Sequence, residues 1–255
     1  MARESKKAPA GIRWRLWLGG FALLLAGVST GLAARKVQQF VTTDRQFALS
    51  RYQKGALTVE GLQYASRYKV QRVFADDFDR SVFAIPLEAR RRSLLAIDWV
   101  EDASVSRVWP DKLVVRIRER RPVAFVPLGA DVLLVDGRGV LLDQPAQSRF
   151  SFPVLRGIRD QESDGQRQDQ VIEFLRVLED MGYQSKDVSE VNVADPENVR
   201  IVAQVENRAV ELLMGDSNFG RRYQNFLKFY PEIQKQSPGG KVFDLRLEGR
   251  ITAKD

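Results

Sequence analysis

The hydrophobic pattern of this chain begins with an uncharged run of nineteen residues, 16–34, bounded by Arg15 and Arg35. As an α-helix rising about 1.5 Å per residue, the run would extend roughly 28 Å, close to the ~30 Å hydrocarbon core of a bilayer. A charged side chain at the centre of such a helix costs about 2.5–3.5 kcal/mol, so the absence of charge favours a lipid environment. The pattern predicts a transmembrane helix over residues 16–34.

The residues in and around this run bear on whether the helix is cleaved and on its orientation in the membrane. A cleaved signal peptide is the alternative to an anchor, because Gly31-Leu32-Ala33 has small residues at the spacing of a cleavage site. The run is longer than a signal-peptide core of about 7–15 residues, which favours an uncleaved anchor. More cations precede the run than follow it, so residues 1–15 are predicted to be a cytoplasmic tail and the rest exported. The cations are Arg3, Lys6, Lys7, Arg13 and Arg15 before the run, and Arg35, Lys36 and Arg45 after it.

Beyond a mixed polar segment at 35–56, predicted as a membrane-proximal helix and linker, the pattern changes to short alternating elements. Residues 57–60 predict a strand that ends at Gly61, and apolar spacings predict helices at 68–75 and 86–96. Strands are predicted at 100–108 and 113–119, joined by a turn at Trp109-Pro110. The order strand, helix, helix, strand, strand defines a first exported domain at 57–126.

The remaining residues, 127–255, predict a second domain of antiparallel strands with flanking helices. A hairpin is predicted at 132–142, a helix at 169–181, and paired strands at 199–205 and 209–214. A last helix begins near Asn218 and is predicted to end near Pro231, because proline disrupts helix interiors. Terminal strands follow at 241–247 and 250–253. The fold class is therefore α+β.

The composition of the chain excludes several classes of catalytic site and indicates which kind of partner its basic charge favours. The chain has no cysteine and no histidine, which excludes thiol nucleophiles, histidine bases and the usual zinc sites. Its net charge of +7 is concentrated near the predicted span, where residues 1–56 carry ten basic against two acidic residues. Residues 127–255 carry 17 basic against 21 acidic residues. The basic charge therefore favours anionic lipid rather than nucleic acid as a partner.

Three short motifs could suggest chemistry, and each has a simpler explanation. Gly27-Val28-Ser29-Thr30-Gly31 matches G-x-S-x-G, but it lies inside the predicted span of a histidine-free chain. Its glycines also match G-x-x-x-G, a helix-packing motif, although small residues are common in spans. The carboxylates at 76–79 are too few for a calcium site and predict a solvated turn. Arg116, Arg118 and Arg120 form a strand stripe that is solvated or faces a partner.

The motifs of the first domain resemble those of the POTRA domain of the FtsQ/DivIB cell-division family. The resemblance depends on V-x-G, on V-x-x-A-x-V-x-R-x-W-P and on E-R-x-P-V-A, whose main positions are Val59, Gly61, Arg107, Trp109, Pro110, Glu119, Arg120 and Pro122. Asp244-Leu245-Arg246 matches a D-L-R element near the end of the family's β domain. A basic tail, one span, a POTRA domain and a β domain also form the family's architecture.

The resemblance implies a non-enzymatic, single-pass scaffold at the septum of the bacterial inner membrane, with its bulk in the periplasm and no cofactor. Implied partners are FtsB and FtsL, with FtsK, FtsW and the septal transpeptidase as further candidates, and the scaffold would help to control septal peptidoglycan synthesis. The alternative is a POTRA-bearing component of a secretion or outer-membrane assembly system. An exported hydrolase has no supporting motif.

The resemblance also implies where partners bind. The terminal segment is expected to form an open sheet edge, with the partner-binding residues Arg246, Leu247, Glu248, Gly249, Arg250 and Ile251. Phe243, Leu245 and Leu247 are expected to pack inward, which leaves Arg246, Glu248 and Arg250 for a partner. Trp109 is expected to be buried.

Overall fold

A computed structural model describes residues 11–146, 148–247 and 249–254, and the side chains of all of these except 11–19, 22 and 254. The described residues fall into two compact units. The first comprises the chain up to Gly61 together with Arg67–Leu94 and Ala103–Ile117. The second comprises Leu62–Ser66, Leu95–Asp102 and the chain from Arg118 onward. The single boundary after residue 126 remains a prediction.

Helix α1 (Gly11–Thr43) contains the whole uncharged run and continues past it by nine residues. Residues 1–10 of the predicted cytoplasmic tail lie outside the described residues, as do several side chains at the start of the predicted span. Among the side chains that are described, no helix combines the length and apolarity needed to cross a membrane. The membrane span at 16–34 therefore remains a prediction.

The β-α-α-β-β order of the POTRA-like region is confirmed. Its elements are β1 (Leu57–Glu60), α2 (Arg67–Arg72), α3 (Leu87–Leu95), β2 (Val100–Val108) and β3 (Lys112–Glu119). Strand β3 lies at the centre of a three-stranded sheet, where it pairs in parallel with β1 and also with β2. Helix α2 is shorter than predicted, because the chain tightens into a 3₁₀ turn at Ala75–Asp77.

The turn at Asp76–Asp79 is exposed at Asp76 and Asp79, as the sequence predicts, but not at Asp77. Asp77 is fully buried, and its carboxylate accepts hydrogen bonds from Arg90 Nε at 2.5 Å and Arg90 Nη2 at 2.8 Å. This bond to Asp77 raises the pKa of Arg90, so the guanidinium stays charged. A buried carboxylate requires such a paired and hydrogen-bonded cation, because an isolated ion would not tolerate burial.

The second unit contains a nine-stranded sheet in which five of the eight strand pairs are antiparallel. The strand order is β12-β11-β10-β9-β8-β7-β4-β5-β6. The strands are β4 (Pro122–Leu128), β5 (Asp131–Asp136), β6 (Leu141–Leu142), β7 (Val154–Arg156), β8 (Val188–Asn192), β9 (Val199–Val205), β10 (Arg208–Gly215), β11 (Val242–Asp244) and β12 (Thr252–Lys254). The fold class of an α+β protein with a mostly antiparallel sheet is confirmed.

Two helices cover this sheet, and both are longer than the sequence predicts. Helix α4 (Asp164–Met181) begins five residues before the predicted start, because Ser163 and Gln166 form a reciprocal capping box. Helix α5 (Phe219–Gln236) continues through Pro231, where the sequence predicts its end. Its buried residues Phe219, Tyr223, Phe226 and Tyr230 join the core of the second unit, together with Phe243 of β11.

Candidate partner-binding surface

The C-terminal segment forms one edge of the nine-stranded sheet and is paired with the sheet on its inner side only. Strand β11 pairs in parallel with β10, and β12 pairs antiparallel with β11 through Asp244 and Thr252. Strand β12 is the last strand in the order, so no described strand pairs with its outer side. Its outward backbone groups are therefore available to an added strand.

The residues between these two strands form an irregular turn, not a continuation of the predicted strand. Strand β11 ends at Asp244, so the alternation of inward and outward side chains ends there as well. Leu245 is buried as expected, whereas Leu247 is 63% exposed. The prediction that Leu247 packs inward is therefore wrong, and its side chain is presented at the surface.

Arg246 has a role within the domain that the sequence does not reveal. Its Nε and Nη2 atoms donate to the Asp244 carboxylate at 2.9 and 2.7 Å, and Nη1 donates to Asn198 Oδ1 at 2.9 Å. The hydrogen bond with Asp244 raises the pKa of Arg246. These bonds connect the turn to Asn198, which directly precedes β9, so Arg246 has partners within the domain, and its contact with a partner protein stays a prediction.

The rest of the turn leads back to the sheet edge. Arg250 is exposed, and its backbone N–H donates to the carbonyl of Leu247 at 3.3 Å. Gly249 takes a φ of +71°, which a residue with a side chain rarely adopts. Ile251 is half-buried against the core, next to β12. Glu248 lies outside the described residues.

A groove of about 380 Å³ lies between this turn and the outer face of α5. Apolar and charged side chains line it together, the main ones being Phe229, Ile233, Leu247, Ile251, Arg221, Arg250 and Glu232. Ile233 was missed in the sequence because α5 was predicted to end near Pro231. Ile233, three residues after the buried Tyr230, continues the helical spacing and could have revealed the longer helix.

The motif positions of the POTRA-like region are mainly structural. Val59 is buried in β1, opposite Val115. Arg107 donates to the carbonyls of Val82 and Ile85 at 2.6 and 2.8 Å. Pro110 forms the turn after Trp109. Pro122 begins strand β4.

Trp109 is the exception, since it is 72% exposed. The prediction that its indole is buried is wrong. Of the tryptophans whose side chains are described, the buried one is Trp99, which is 6% exposed and donates its indole N–H to the carbonyl of Asp143 at 2.9 Å.

Glu119 and Arg120 each organise a loop of the second unit. The Glu119 carboxylate accepts hydrogen bonds from the backbone N–H groups of Gln63, Tyr64 and Ala65 at 2.7–3.0 Å. Arg120 donates to the carboxylate of the nearly buried Asp136 at 2.9 Å. The predicted arginine stripe therefore does not stand free at Arg120.

Replacing Glu119 with glutamine should lower the free energy of unfolding by about 1.5–3 kcal/mol, because hydrogen bonds to a charged acceptor contribute that much. Glu60→Gln is the matched control, since Glu60 forms only an exposed ion pair with Arg116, and such pairs contribute about 0–1 kcal/mol. Denaturant titration of both variants measures the difference. Equal losses in the two variants would contradict the structural role of Glu119.

Comparison with known proteins gives a consistent result over both the POTRA-like region and the C-terminal region. Residues 55–120 match the family model of the FtsQ-type POTRA domain, and residues 124–246 match that of the cell division protein FtsQ/DivIB C-terminal region. The cell division protein FtsQ of Koribacter versatilis is 31% identical over 97% of this chain and 71% of its own length. The chain belongs to the FtsQ/DivIB family.

Other FtsQ proteins match at similar levels. The FtsQ of Syntrophotalea carbinolica is 25% identical over 98% of this chain and 90% of its own length. That of Zymomonas mobilis is 34% identical over 47% of this chain and 39% of its own length. Membership in the FtsQ/DivIB family gives the chain a role in cell division and makes the secretion or outer-membrane assembly alternative unnecessary.

The C-terminal match ends at Arg246, so it covers α5 but not the later part of the turn or β12. The groove is therefore lined partly by residues of the matched region and partly by residues beyond it.

Proposed function

We propose that this FtsQ-family chain is a non-enzymatic scaffold that crosses the bacterial inner membrane once, with residues 1–15 in the cytoplasm and both units in the periplasm at the division septum. It gathers other division proteins and so helps to control septal peptidoglycan synthesis. The FtsB and FtsL pair binds the C-terminal edge, while FtsK, FtsW and the septal transpeptidase are further partners. The uncharged run at 16–34 and its flanking cations support this topology.

One observation carries the binding proposal, which is that the outer side of β12 lies open next to the apolar groove of α5. An extended segment of FtsB could pair with β12 through its backbone while a side chain enters the groove. Backbone pairing supplies affinity with little sequence preference. The apolar side chains of the groove and the exposed Arg250 supply selectivity for a partner segment that combines an apolar anchor with an acidic residue.

Leu247→Glu tests this proposal directly. Leu247 is exposed, so the variant should fold, and a carboxylate at the groove would oppose an apolar anchor and repel acidic residues of the segment. We expect the dissociation constant of a fluorescent peptide from the FtsB of the same bacterium to rise at least about tenfold, which corresponds to about 1.4 kcal/mol. Tyr183→Glu adds the same charge at a site on this unit that is 82% exposed, and it should bind normally.

The strand-pairing part of the proposal has its own test in proline substitutions at Thr252 and Ala253. Adjacent residues of a strand direct their backbone N–H groups to opposite sides. One proline therefore removes a bond to β11, while the other removes only an outward donor. We expect the variant with an unchanged circular dichroism spectrum to lose peptide binding. If the variant that lacks only the outward donor keeps both its fold and its binding, β12 is excluded as the docking edge.

Topology is tested separately by adding protease outside spheroplasts. The proposed orientation predicts removal of both units and recovery of a short membrane-bound fragment. A soluble product that begins near Ala34 would instead identify the uncharged run as a cleaved signal peptide.

A further inference from the structure

The first unit exposes an apolar surface near the end of α1 that the proposed partner site does not use. We call it the aromatic patch, and it consists of Phe40, Phe83 and Trp109, which are 54, 37 and 72% exposed, together with Val108, which precedes Trp109 in the chain and is 43% exposed. The rings of Phe40, Phe83 and Trp109 all lie within 6.0 Å of the buried Phe47 ring. Contiguous apolar surface of this kind, unlike scattered single residues, indicates an interaction site.

Hydrogen bonds connect the residues around Phe83 to the segment after α1 and to α1 itself. Leu49 N–H donates to the carbonyl of Arg80 at 2.9 Å, and Val82 N–H donates to that of Phe47 at 2.8 Å. The Ser81 hydroxyl, which is nearly buried, donates to the Val41 carbonyl of α1 at 2.7 Å. The segment after α1 is therefore part of the unit and not a loose linker. The patch is held at a defined position along the axis of α1, near its C-terminal end.

If α1 crosses a bilayer, the patch lies close to its surface, and the inference rests on the proposed topology in this respect. Phe40 lies six residues after Ala34, so it is about 9 Å farther along the helix axis. The polar interface of a bilayer is roughly 5–7 Å thick on each side. Helical side chains lean toward the helix N-terminus, which brings the Phe40 ring back toward the interface.

The charges around the patch suit a lipid surface. Arg35, Lys36 and Arg45 are all exposed close to this end of α1. Cations near a membrane surface attract anionic headgroups with about 1 kcal/mol each. Tryptophan is enriched at the same depth, because its ring is apolar and its N–H is polar.

We propose that the first unit docks through the aromatic patch onto the periplasmic surface of the membrane that α1 crosses, with anionic phospholipid headgroups as the ligand. Trp109 and Phe83 enter the interface, and Phe40 joins them from the helix. Docking restricts the unit to one orientation above the membrane. The exposure of Trp109, which its structural motif does not explain, follows from this contact.

Site-directed spin labelling tests the proposal on the full chain, since the natural sequence has no cysteine to remove. A label at Val108→Cys, beside an intact Trp109, reports on the patch. A label at Leu24→Cys reports on the predicted span, and one at Tyr183→Cys reports on an exposed site of the other unit. The chain is reconstituted into vesicles of phosphatidylethanolamine and phosphatidylglycerol. Collision with oxygen, which concentrates in lipid, is then compared with collision with a water-soluble nickel chelate.

We expect the label at position 108 to collide preferentially with oxygen, at interfacial depth, whereas the label at 183 collides preferentially with nickel. Adding Trp109→Glu should return the label at 108 to the aqueous value, and Trp109→Phe should not. Vesicles without phosphatidylglycerol should give a smaller lipid signal at 108. These three results together would establish docking through the patch.

Each other outcome overturns a defined part of the inference. An aqueous label at 108 with a lipid-buried label at 24 would contradict docking while leaving the proposed topology intact. An aqueous label at 24 would contradict the topology itself. A label at 108 that neither reagent reaches would show that protein, such as a second copy of the chain, covers the patch instead of lipid.

Discussion

Gly61→Ala should lower the free energy of unfolding by about 3 kcal/mol or more. Gly61 takes a φ of +82°, and a Cβ atom added there would lie 2.1 Å from the backbone oxygen of Ile117. Because the clash is with backbone, it cannot be relieved by rotating a side chain. The cost of the positive φ, of order 1–3 kcal/mol, adds to it.

Gly55→Ala separates the two contributions. Gly55 has nearly the same φ, +84°, but no heavy atom lies within 4 Å of an added Cβ. This control should lose only about 1 kcal/mol, from backbone strain alone. Urea titration of the full chain in detergent measures both values. Equal losses would show that the contact between Gly61 and β3 does not determine stability.

Trp99→Ala should have an effect as large, about 3–5 kcal/mol, which is the usual cost of truncating a buried tryptophan. Trp99 packs against both Tyr64 and Phe150, with ring centroids 5.2 and 6.3 Å away, and its indole N–H is hydrogen-bonded. The substitution would leave a cavity in the second unit and an unpaired carbonyl at Asp143.

Trp109→Ala is the matched control for Trp99. Its side chain is mostly exposed, so the expected loss is about 0.5 kcal/mol or less. Unfolding followed by circular dichroism compares the two variants without relying on tryptophan fluorescence. A larger loss for Trp109 than for Trp99 would contradict the burial pattern described here.

The order of elements could be predicted from the sequence because it depends on short-range patterns. The alternation at 113–119 and the glycine at 61 give β3 and the end of β1 correctly. Local patterns also locate β9 and β10 within one residue. In each case the apolar spacing within the segment agrees with the burial that the sheet imposes.

The errors arise where long-range contacts decide the outcome. Two tryptophans ten residues apart have similar local surroundings, and only packing against the distant Tyr64 and Phe150 makes Trp99 the buried one. Asp77 appears solvated in sequence because its partner, Arg90, lies on a different element. The local signal that α5 continues beyond Pro231 is limited to the spacing of Ile233 from Tyr230.

The candidate site could be predicted only in part for the same reason. A strand near the C-terminus suggests an edge, and its place beyond β11 is consistent with that expectation. The engagement of Arg246 by Asp244 and Asn198, and the groove of α5, depend on residues far apart in sequence.

We propose that the C-terminal edge of this FtsQ-family chain supports division by binding a partner. The most direct test is to measure the length of the cells. In the bacterium that produces the chain, the chromosomal copy is replaced with Leu247→Glu or Tyr183→Glu, and protein levels are matched by immunoblot. The account predicts filamentous cells for Leu247→Glu and cells of normal length for Tyr183→Glu. Normal division with stably expressed Leu247→Glu would contradict it.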